Sequence, residues 1–311
     1  MTTVLITGGT GLIGRAITKA LLKKNYRVII LSRATRNSIR ETPNLSYAQW
    51  NIHEQTIDKD AISKADCIIH LAGAGIADKR WTKKRKQEIA DSRVKSGEFI
   101  VKVLEKIPNK VKVIISSSAI GWYGPDPSIP NPHPFTENDP AYNDFLGNTC
   151  RQWEKSIEPV IGLGKRLIKF RTGVVLSNEG GALKEFKKPL FLDVAAILGT
   201  GKQIISWIHI DDLVNLYITA IENEEMNGVY NAVAPDPVSN KELTIQLART
   251  VRGKFFVPFR VPSFVLKLLF GELSIEVLKS TTVSCNKTLV SGFSFLYPSI
   301  GIALKNLKEK D

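Results

Sequence analysis

The chain has 311 residues, of which 43% are hydrophobic and 23% are charged, so it can bury a large core and form one main body with a smaller appended part. It contains no apolar run of about 18 residues and no basic, cleavable leader, which leads us to expect a cytoplasmic protein with no membrane partner. The net charge of +13 comes from scattered basic residues without a nucleic-acid-binding motif, so we expect no nucleic-acid partner. The three separated cysteines suggest neither a disulfide framework nor a metal site.

Short apolar runs recur along the chain and are typical of strands buried on both faces. They are VLIT (4–7), VIIL (28–31), CIIHLA (67–72), VKVIIS (111–116) and LIKFRTGVVL (167–176). Helical patterns lie between them, one from Leu12 to Leu21 and a longer one from Lys83 to Ile107. This alternation predicts an α/β fold, with a Rossmann-like doubly wound parallel sheet.

The first strand leads through a glycine-rich turn into the first helix, in the segment VLITGGTGLIGRAITKALL. Gly8, Gly9, Gly11 and Gly14 give the Gly-x-Gly-x-x-Gly spacing of dinucleotide-binding folds. Glycine permits a tight turn and a close approach to a pyrophosphate, while the helix N-terminus offers free N–H groups and a positive dipole. The segment predicts a dinucleotide-binding loop, with a plain glycine-rich turn as the alternative.

Ser32 and Arg33 follow the second strand, at the position that meets the adenosine ribose in dinucleotide folds. An acid at this position favours NAD, whereas an arginine accommodates the 2′-phosphate of NADP. Arg33 therefore favours NADP(H), and the alternative is an ordinary surface cation.

After about residue 178 the alternation of strand and helix becomes less regular. WIHIDDLVNLYITAIEN reads as a strand and then a helix, GVYNAVAP as a strand, and the tail from Phe255 as packed helices. We expect an NADP-binding domain over residues 1–254, in which residues from about 178 contribute to a smaller C-terminal substrate lobe, and a helical cap over residues 255–311.

Eight segments spread over nearly the whole chain resemble the epimerase family proteins, a group similar to the NAD-dependent epimerase/dehydratases within the atypical extended short-chain dehydrogenase/reductases. They are GGTGLIG, LSR, HLAGAGIADKRWT, SRV, SSSAIGWYG, RTGVVL, LGTGKQIISWIHIDDLV and RVPSFVLKLLFGE. The tail looks like that family's C-terminal domain of unknown function. The resemblance implies a Rossmann core that holds NADP(H) across the carboxyl edge of its sheet.

The resemblance also implies a set of residues that contact the cofactor. Beyond Gly8 and Gly9 of the glycine loop, they are Thr10, Gly11, Leu12, Ile13, Gly14, Ser32, Arg33, Leu71, Ala72, Gly73, Glu88, Arg93 and Val175. Without the resemblance, AGAGIADKRWTKKRK is a small-residue loop followed by clustered cations. Such a segment fits either a cofactor edge or a solvated basic helix.

The segment SSSAIGWYG ends a buried strand at the point where relatives present a catalytic hydroxyl to the substrate. Ser118 is the candidate for proton transfer, and Tyr123 is a second candidate. A polar strand end and a packed tyrosine are the structural alternatives.

Many relatives carry a Tyr-x-x-x-Lys pair on the next helix, in which the lysine lowers the pKa of the tyrosine. In YNDFLGNTCRQWE, counting back from Glu154 places Cys150 at the lysine position and Leu146 at the tyrosine position. Neither side chain can do that chemistry, and Tyr142, one helical turn upstream, has no lysine at Leu146 to activate it. We expect Cys150 to be a packing residue and any turnover to be slow or confined to activated substrates.

The segment LGTGKQIISWIHIDDLV resembles the substrate side of the extended branch. Gln203, Trp207 and His209 are the candidate substrate-binding residues, although His209 also fits a strand residue with a satisfied hydrogen bond. Asp211 or Asp212 reads as the N-cap of the helix that follows.

The leading interpretation is an NADP(H)-dependent oxidoreductase or epimerase that acts on a small molecule and lacks the Tyr-x-x-x-Lys pair. The alternative is a non-catalytic NADP(H)-binding sensor, which the missing pair favours.

Overall fold

The computed structural model describes residues 1–33 and 42–310. Its strands are β1 (Thr3–Thr7), β2 (Arg27–Ser32), β3 (Leu45–Asn51), β4 (Thr56–Ile57), β5 (Cys67–His70), β6 (Val113–Ala119), β7 (Arg166–Thr172), β8 (Val174–Leu176), β9 (Val194–Leu198), β10 (Ile204–Ile205), β11 (Trp207–His209), β12 (Gly228–Ala232), β13 (Val238–Ser239) and β14 (Val257–Val261). Its α-helices are α1 (Leu12–Lys23), α2 (Lys59–Lys64), α3 (Lys83–Lys106), α4 (Phe145–Ile157), α5 (Ala182–Lys187), α6 (Ile210–Glu222), α7 (Asn240–Arg252), α8 (Ser263–Phe270), α9 (Leu273–Leu278), α10 (Asn286–Val290) and α11 (Ile300–Glu309).

The centre of the fold is an eight-stranded sheet with the order β12-β7-β6-β5-β1-β2-β3-β4. Neighbouring strands are parallel throughout, except that β4 pairs antiparallel with β3. The strands β1 and β5 at its middle are buried along their whole length, as their continuous apolar runs require. The predicted Rossmann-like parallel sheet is confirmed.

Helices cover both faces of this sheet and give two cores. On one face, α1 and α6 pack through residues such as Leu21, Leu213 and Tyr217. On the other face, α2 and α3 pack through Ile62 and Phe99. The layered arrangement leaves the carboxyl ends of the parallel strands along one edge, where ligands bind in open α/β sheets.

Two features of the sheet differ from the apolar runs of the sequence. The strand β3 has the mixed sequence LSYAQWN and is mostly half-buried near the sheet's edge, so no continuous apolar run marks it. The run LIKFRTGVVL divides at Gly173 into β7, which belongs to the central sheet, and β8, which pairs with β11; a side chain at Gly173 would lie 2.6 Å from the carbonyl oxygen of Ser206.

The later segments form small two-stranded sheets, in which β8 pairs with β11, β9 with β14 and β10 with β13. A third core, which includes Trp207, Leu243 and Leu304, holds these sheets and helices together. The tail begins with the strand β14, where the sequence suggested a helix, and continues as helices. No helix in the described part of the chain is long and apolar enough to cross a membrane.

Candidate active site

The glycine loop joins β1 to α1 at the carboxyl edge of the sheet, and its tight geometry requires glycine at three positions. Gly8 has φ = +69°, and an added Cβ would lie 2.8 Å from the carbonyl oxygen of Leu71. A Cβ at Gly9 would lie 2.8 Å from the side chain of Ile30, and one at Gly14 would collide with the carbonyl oxygen of Gly8. These glycines let the loop, the neighbouring strands and α1 approach one another closely.

Gly11 is different, because the fold itself does not require the glycine there. It is the N-cap of α1 with φ = −74° and ψ = 174°, a conformation open to any residue. An added Cβ would have only the carbonyl oxygen of Gly8 nearby, at 3.3 Å. The space in front of Gly11 therefore lies in the open cleft at a helix N-terminus, the position where a pyrophosphate group fits.

A cleft of about 1030 Å³ runs along this edge, large enough for a dinucleotide. The predicted cofactor residues that line it are Gly8, Thr10, Gly11, Ser32, Arg33, Leu71, Ala72, Gly73 and Glu88. The predicted cofactor residues outside its lining are Gly9, Leu12, Ile13, Gly14, Arg93 and Val175. Gly9 and Gly14 shape the loop from behind, whereas Ile13 and Val175 pack against the core on the α1 face.

Several residues that line the cleft were missed by the sequence analysis. Trp50, Asn51, Ile52 and His53 come from the end of β3 and the turn after it. Their signal was the alternating segment LSYAQWN, which becomes recognisable only once β3 is placed beside β2. Because this end of the cleft also contains Arg33, these residues lie where an adenosine group would bind.

Charged side chains of both signs surround the mouth of the cleft. Arg85, although nearly buried, pairs with Glu88 at 2.7 Å and with Asp78 at 3.5 Å. The hydrogen bond from Arg85 lowers the pKa of Glu88. Lys79 and Arg85, two members of the cation cluster noted in the sequence, line the cleft. Arg85 is largely neutralised by its carboxylate partners, whereas the exposed Arg33 has no ion pair within the described residues.

A buried histidine fixes the loop after β5, which lines the cleft. The hydroxyl of Thr7 accepts the backbone N–H groups of Leu71 and Ala72, at 3.1 and 3.2 Å, and donates to Nδ1 of His70 at 2.8 Å. Nε2 of His70 can then donate to the hydroxyl of Ser96, 3.2 Å away on α3. Burial lowers the pKa of His70 to about 4, so the ring is neutral, as this hydrogen-bond pattern requires.

Arg93 holds the same loop from α3. Its Nη1 donates to the carbonyl oxygens of Ala74 and Ile89, each at 2.9 Å, and its guanidinium lies 5.0 Å from the ring centre of Trp153. A Cβ at Gly73 would lie 3.1 Å from the guanidinium carbon. Arg93 therefore positions the backbone that lines the cleft, and burial lowers its pKa.

Ser118 lies at the end of β6 with its side chain in a buried polar network. Its hydroxyl donates to Oε1 of Glu154 at 2.8 Å, and Nε of Arg171 donates to the same oxygen at 2.8 Å. Lys169 adds a second cation 3.4 Å from Oε2 of Glu154. With Ser118 2% exposed, its hydroxyl faces α4 and not the open cleft. Its predicted role in proton transfer stays a prediction.

Tyr123 belongs to the same network. Its hydroxyl donates to Oδ1 of Asn231 at 2.7 Å and accepts from Nη1 of Arg171 at 3.1 Å. Burial raises the pKa of Tyr123 to about 12, although Arg171 opposes this rise. The tyrosine is fully buried and stacks on Phe135, so the geometry corresponds to the structural alternative for this residue.

The positions of the missing Tyr-x-x-x-Lys pair are occupied by packing side chains. Leu146 is 8% exposed and lies in an apolar cluster with Trp81, Ile89 and Leu273. Cys150 is 4% exposed, its sulfur lies 3.7 Å from the carbonyl oxygen of Ala119, and burial raises the pKa of its thiol to about 12. Neither of these two helix positions therefore carries a group that exchanges a proton near neutral pH.

The three candidate substrate-binding residues are buried in the later part of the chain. Gln203 donates to the carbonyl oxygen of Leu198 at 3.0 Å, and the indole of Trp207 donates to that of Asp236 at 2.9 Å. The ring of His209 lies against that of Tyr297, with ring centres 3.9 Å apart and the ring planes tilted by 34°. Since none of the three is among the residues that line the cleft, their role toward a substrate stays a prediction.

The N-cap of α6 also differs from the expectation. His209 caps the helix, because its Nδ1 accepts the backbone N–H of Asp211 at 3.1 Å. The buried Asp212 instead accepts the backbone N–H groups of Leu296 and Tyr297, at 2.8 and 3.0 Å. This acid therefore anchors the C-terminal segment to the main body.

The fold and the cleft together define a dinucleotide-binding protein of the Rossmann type. The chain belongs to the epimerase family proteins: residues 4–145 match the NAD dependent epimerase/dehydratase family, and residues 261–307 match a domain of unknown function, DUF1731. The epimerase family protein SSP1921 of Staphylococcus saprophyticus is 36% identical over 308 residues, covering 97% of this chain and 98% of that protein. The epimerase family protein YfhF of Bacillus subtilis is 34% identical, covering 98% and 97% of the two chains.

Solved structures of similar proteins have the same fold. The human epimerase family protein SDR39U1 (isoform 2), crystallised with NADPH, has a TM-score of 0.86 and 29% identity, with complete coverage of both chains. The nucleoside-diphosphate sugar epimerase of Corynebacterium glutamicum has a TM-score of 0.77 and 32% identity, covering 99% of this chain and 58% of that one. A nicotinamide cofactor is thus a property of the family to which the chain belongs.

Proposed function

We propose that the protein is an NADP(H)-dependent oxidoreductase or epimerase acting on a small molecule. The observation that carries this proposal is the cleft in front of Gly11, which combines a free helix N-terminus with space for a pyrophosphate. The bound cofactor would exchange a hydride with the substrate. The chain's residues would bind and orient it through the glycine loop, the loop after β5 and Arg33.

The preference for NADP(H) rests on Arg33. This side chain is exposed, lines the cleft and follows β2, and neither Ser32 nor Arg33 is an acid that would repel a 2′-phosphate. A guanidinium can hold a phosphate through two charge-assisted hydrogen bonds. The similar human structure with NADPH supports the same choice.

The test of this preference is a titration of NADPH and NADH into the wild type, Arg33→Ala and the control Arg27→Ala. Arg27 is an exposed cation at the opposite end of β2, away from the cleft. We expect Arg33→Ala to lose on the order of 1.5–3 kcal/mol of NADPH binding, with little change for NADH or for the control. Equal affinities for both cofactors in the wild type would contradict the proposal.

Ser118 and Tyr123 are the candidates for proton transfer within this proposal, and Gln203, Trp207 and His209 are the candidates toward the substrate. Because Ser118 and Tyr123 are buried, proton transfer through either of them requires the network around Glu154 to rearrange. Single-turnover oxidation of NADPH in Ser118→Ala tests this directly once a substrate is known. An unchanged rate would remove the serine from the reaction.

A second function, binding of NADP(H) without turnover, is favoured by the side chains at the positions of the missing pair. Leu146 and Cys150 offer no proton at neutral pH, because one is a hydrocarbon and the other is a buried thiol with a raised pKa. A screen for oxidation of bound NADPH by diverse carbonyl compounds separates the two functions. Oxidation that depends on the protein supports the enzyme, and tight binding without oxidation of any compound supports the sensor.

A further inference from the structure

An exposed apolar surface lies in the later part of the chain. It is formed by the turn at 188–192, by β14 with the residues before it, and by α8. We call it the β14–α8 face, and its exposed apolar side chains are Phe191, Leu192, Phe255, Val257, Phe259, Phe264, Leu268 and Leu269. Phe255 is 83% exposed, Leu192 81% and Leu268 73%, values far above those expected of side chains that pack on their own chain.

These segments are adjacent in space as well as exposed. The backbone N–H of Val257 donates to the carbonyl oxygen of Asp193 at 2.8 Å, which places the start of β14 beside the turn with Phe191 and Leu192. At its other end β14 runs through Pro262 directly into α8. Val257 and Phe259 alternate along β14 and so share one side of the strand, and Phe255 lies in the segment just before it. The exposed apolar side chains therefore follow one another from the turn along β14 and into α8, and exposed apolar patches mark interaction surfaces.

Most of the charged side chains near this face are cations. Between Glu242 and Glu272 the chain contains five Lys or Arg residues and no Asp or Glu. Of these, Arg252 pairs with Asp193 at 3.1 Å, whereas Arg249, Lys254, Arg260 and Lys267 are exposed and form no ion pair within the described residues. The patch therefore combines exposed hydrocarbon with unneutralised cations.

We propose that the β14–α8 face docks the protein onto the surface of an anionic phospholipid bilayer. Aromatic and aliphatic side chains can enter the boundary between headgroups and acyl chains, while nearby cations remain among the anionic headgroups. A second copy of the chain fits less well, because a symmetric interface would bring the same cations of both copies together in a desolvated contact. The binding is peripheral, so it is compatible with the lack of a spanning helix among the described residues, and it revises the expectation of no membrane partner.

The test is co-sedimentation of the full chain with two kinds of vesicle. One contains phosphatidylcholine alone, and the other contains phosphatidylcholine with roughly 40% phosphatidylglycerol. We expect clear binding to the anionic vesicles, weak binding to the neutral ones, and a loss of binding as salt screens the cations. Each cation near an anionic surface contributes about a fivefold gain in partitioning, so the triple variant Lys254→Gln, Arg260→Gln, Lys267→Gln should bind on the order of 100-fold more weakly.

Two further variants separate the face from net charge and from fold. The control Lys19→Gln, Lys23→Gln, Lys106→Gln removes the same charge from exposed positions on α1 and α3 and should bind like the wild type. Phe259→Ser with Leu268→Ser alters only exposed side chains and should reduce vesicle binding while the NADPH affinity and melting temperature stay unchanged.

Three results would overturn the proposal. The first is equal sedimentation with neutral and anionic vesicles. The second is a dimer in solution that the Phe259→Ser, Leu268→Ser variant converts to a monomer, with no vesicle binding by either form. The third is tighter binding of a single-stranded oligothymidylate than of the anionic vesicles, which would assign the aromatic and basic side chains to nucleic acid.

Discussion

Replacing Gly11 with valine should abolish nucleotide binding while the protein still folds. The backbone at Gly11 has φ = −74°, which valine can adopt, and an added Cβ has only one neighbouring atom, the carbonyl oxygen of Gly8 at 3.3 Å. Replacing glycine reduces the conformational freedom of the unfolded chain, which stabilises the folded variant by about 0.4–1 kcal/mol. This gain offsets the loss that arises because valine is a poorer N-cap residue than glycine. We therefore expect its free energy of unfolding to stay within about 1 kcal/mol of the wild type.

The loss of binding can be derived from the same geometry. The valine side chain would occupy the space in front of the N-terminus of α1, where N–H groups face the cleft. Loss of two charge-assisted hydrogen bonds to a pyrophosphate, at about 1.5 kcal/mol each, removes about 3 kcal/mol. NADPH binding should therefore weaken by on the order of 100-fold or more.

The matched control is Gly14→Ala, because the two glycines stand three residues apart in one motif. An alanine Cβ at Gly14 would collide with the backbone of Gly8 and Gly9, so the loop must shift and the protein should lose about 1–3 kcal/mol of stability or more. Thermal melting and NADPH fluorescence titrations distinguish the variants. If Gly11→Val binds NADPH like the wild type, or melts as low as Gly14→Ala, the assignment of Gly11 to the pyrophosphate is wrong.

Three further predictions concern buried groups. Glu154→Gln should destabilise the protein by about 3–5 kcal/mol in urea unfolding, because it leaves the buried Arg171 without its carboxylate partner. The control is Glu158→Gln at a half-exposed position, which should cost less than about 1 kcal/mol. The folded-state pKa of His70, about 4, lies below its ordinary 6.5, so the native protein binds fewer protons and its stability falls as the pH drops from 6.5 towards 4. His70→Asn should therefore flatten the stability profile in this window, by up to about 3 kcal/mol at pH 4, and an unchanged profile would show that His70 does not titrate there. Cys150→Ala should leave the NADPH affinity intact and cost about 1 kcal/mol of stability. In the native wild type the Cys150 thiol should resist alkylation by iodoacetamide, and rapid alkylation would contradict its assignment as a packing residue.

The predicted residues that line the cleft are mostly those formed by neighbours along the chain. The glycine loop is one segment in which turn, strand end and helix start follow one another, so the residues themselves specify the conformation. Ser32 ends β2 and Arg33 follows it directly, and their place at the cleft follows from the order of strands in this fold class. The positions of Leu146 and Cys150 were likewise countable along one helix.

The strand β3 shows where the local signal fails. Its residues are mostly half-buried, near the edge of the sheet, so the continuous apolar run that marks β1 and β5 is absent. Without β3, residues 50–53, which line the cleft together with Arg33, could not be placed. Burial of a strand depends on which elements cover it, and that is decided by the packing of the whole chain.

By itself, the sequence determined the α/β class, the glycine loop and the cation at Arg33, because these depend on backbone preferences and spacing among adjacent residues. The tertiary structure alone decided what the polar side chains of the site contact. Ser118 donates to Glu154, 36 residues away, and Tyr123 to Asn231, 108 residues away. A hydroxyl has the same intrinsic chemistry in a cleft and in a buried network, and only the partners that folding brings within about 3 Å determine whether it can reach a substrate.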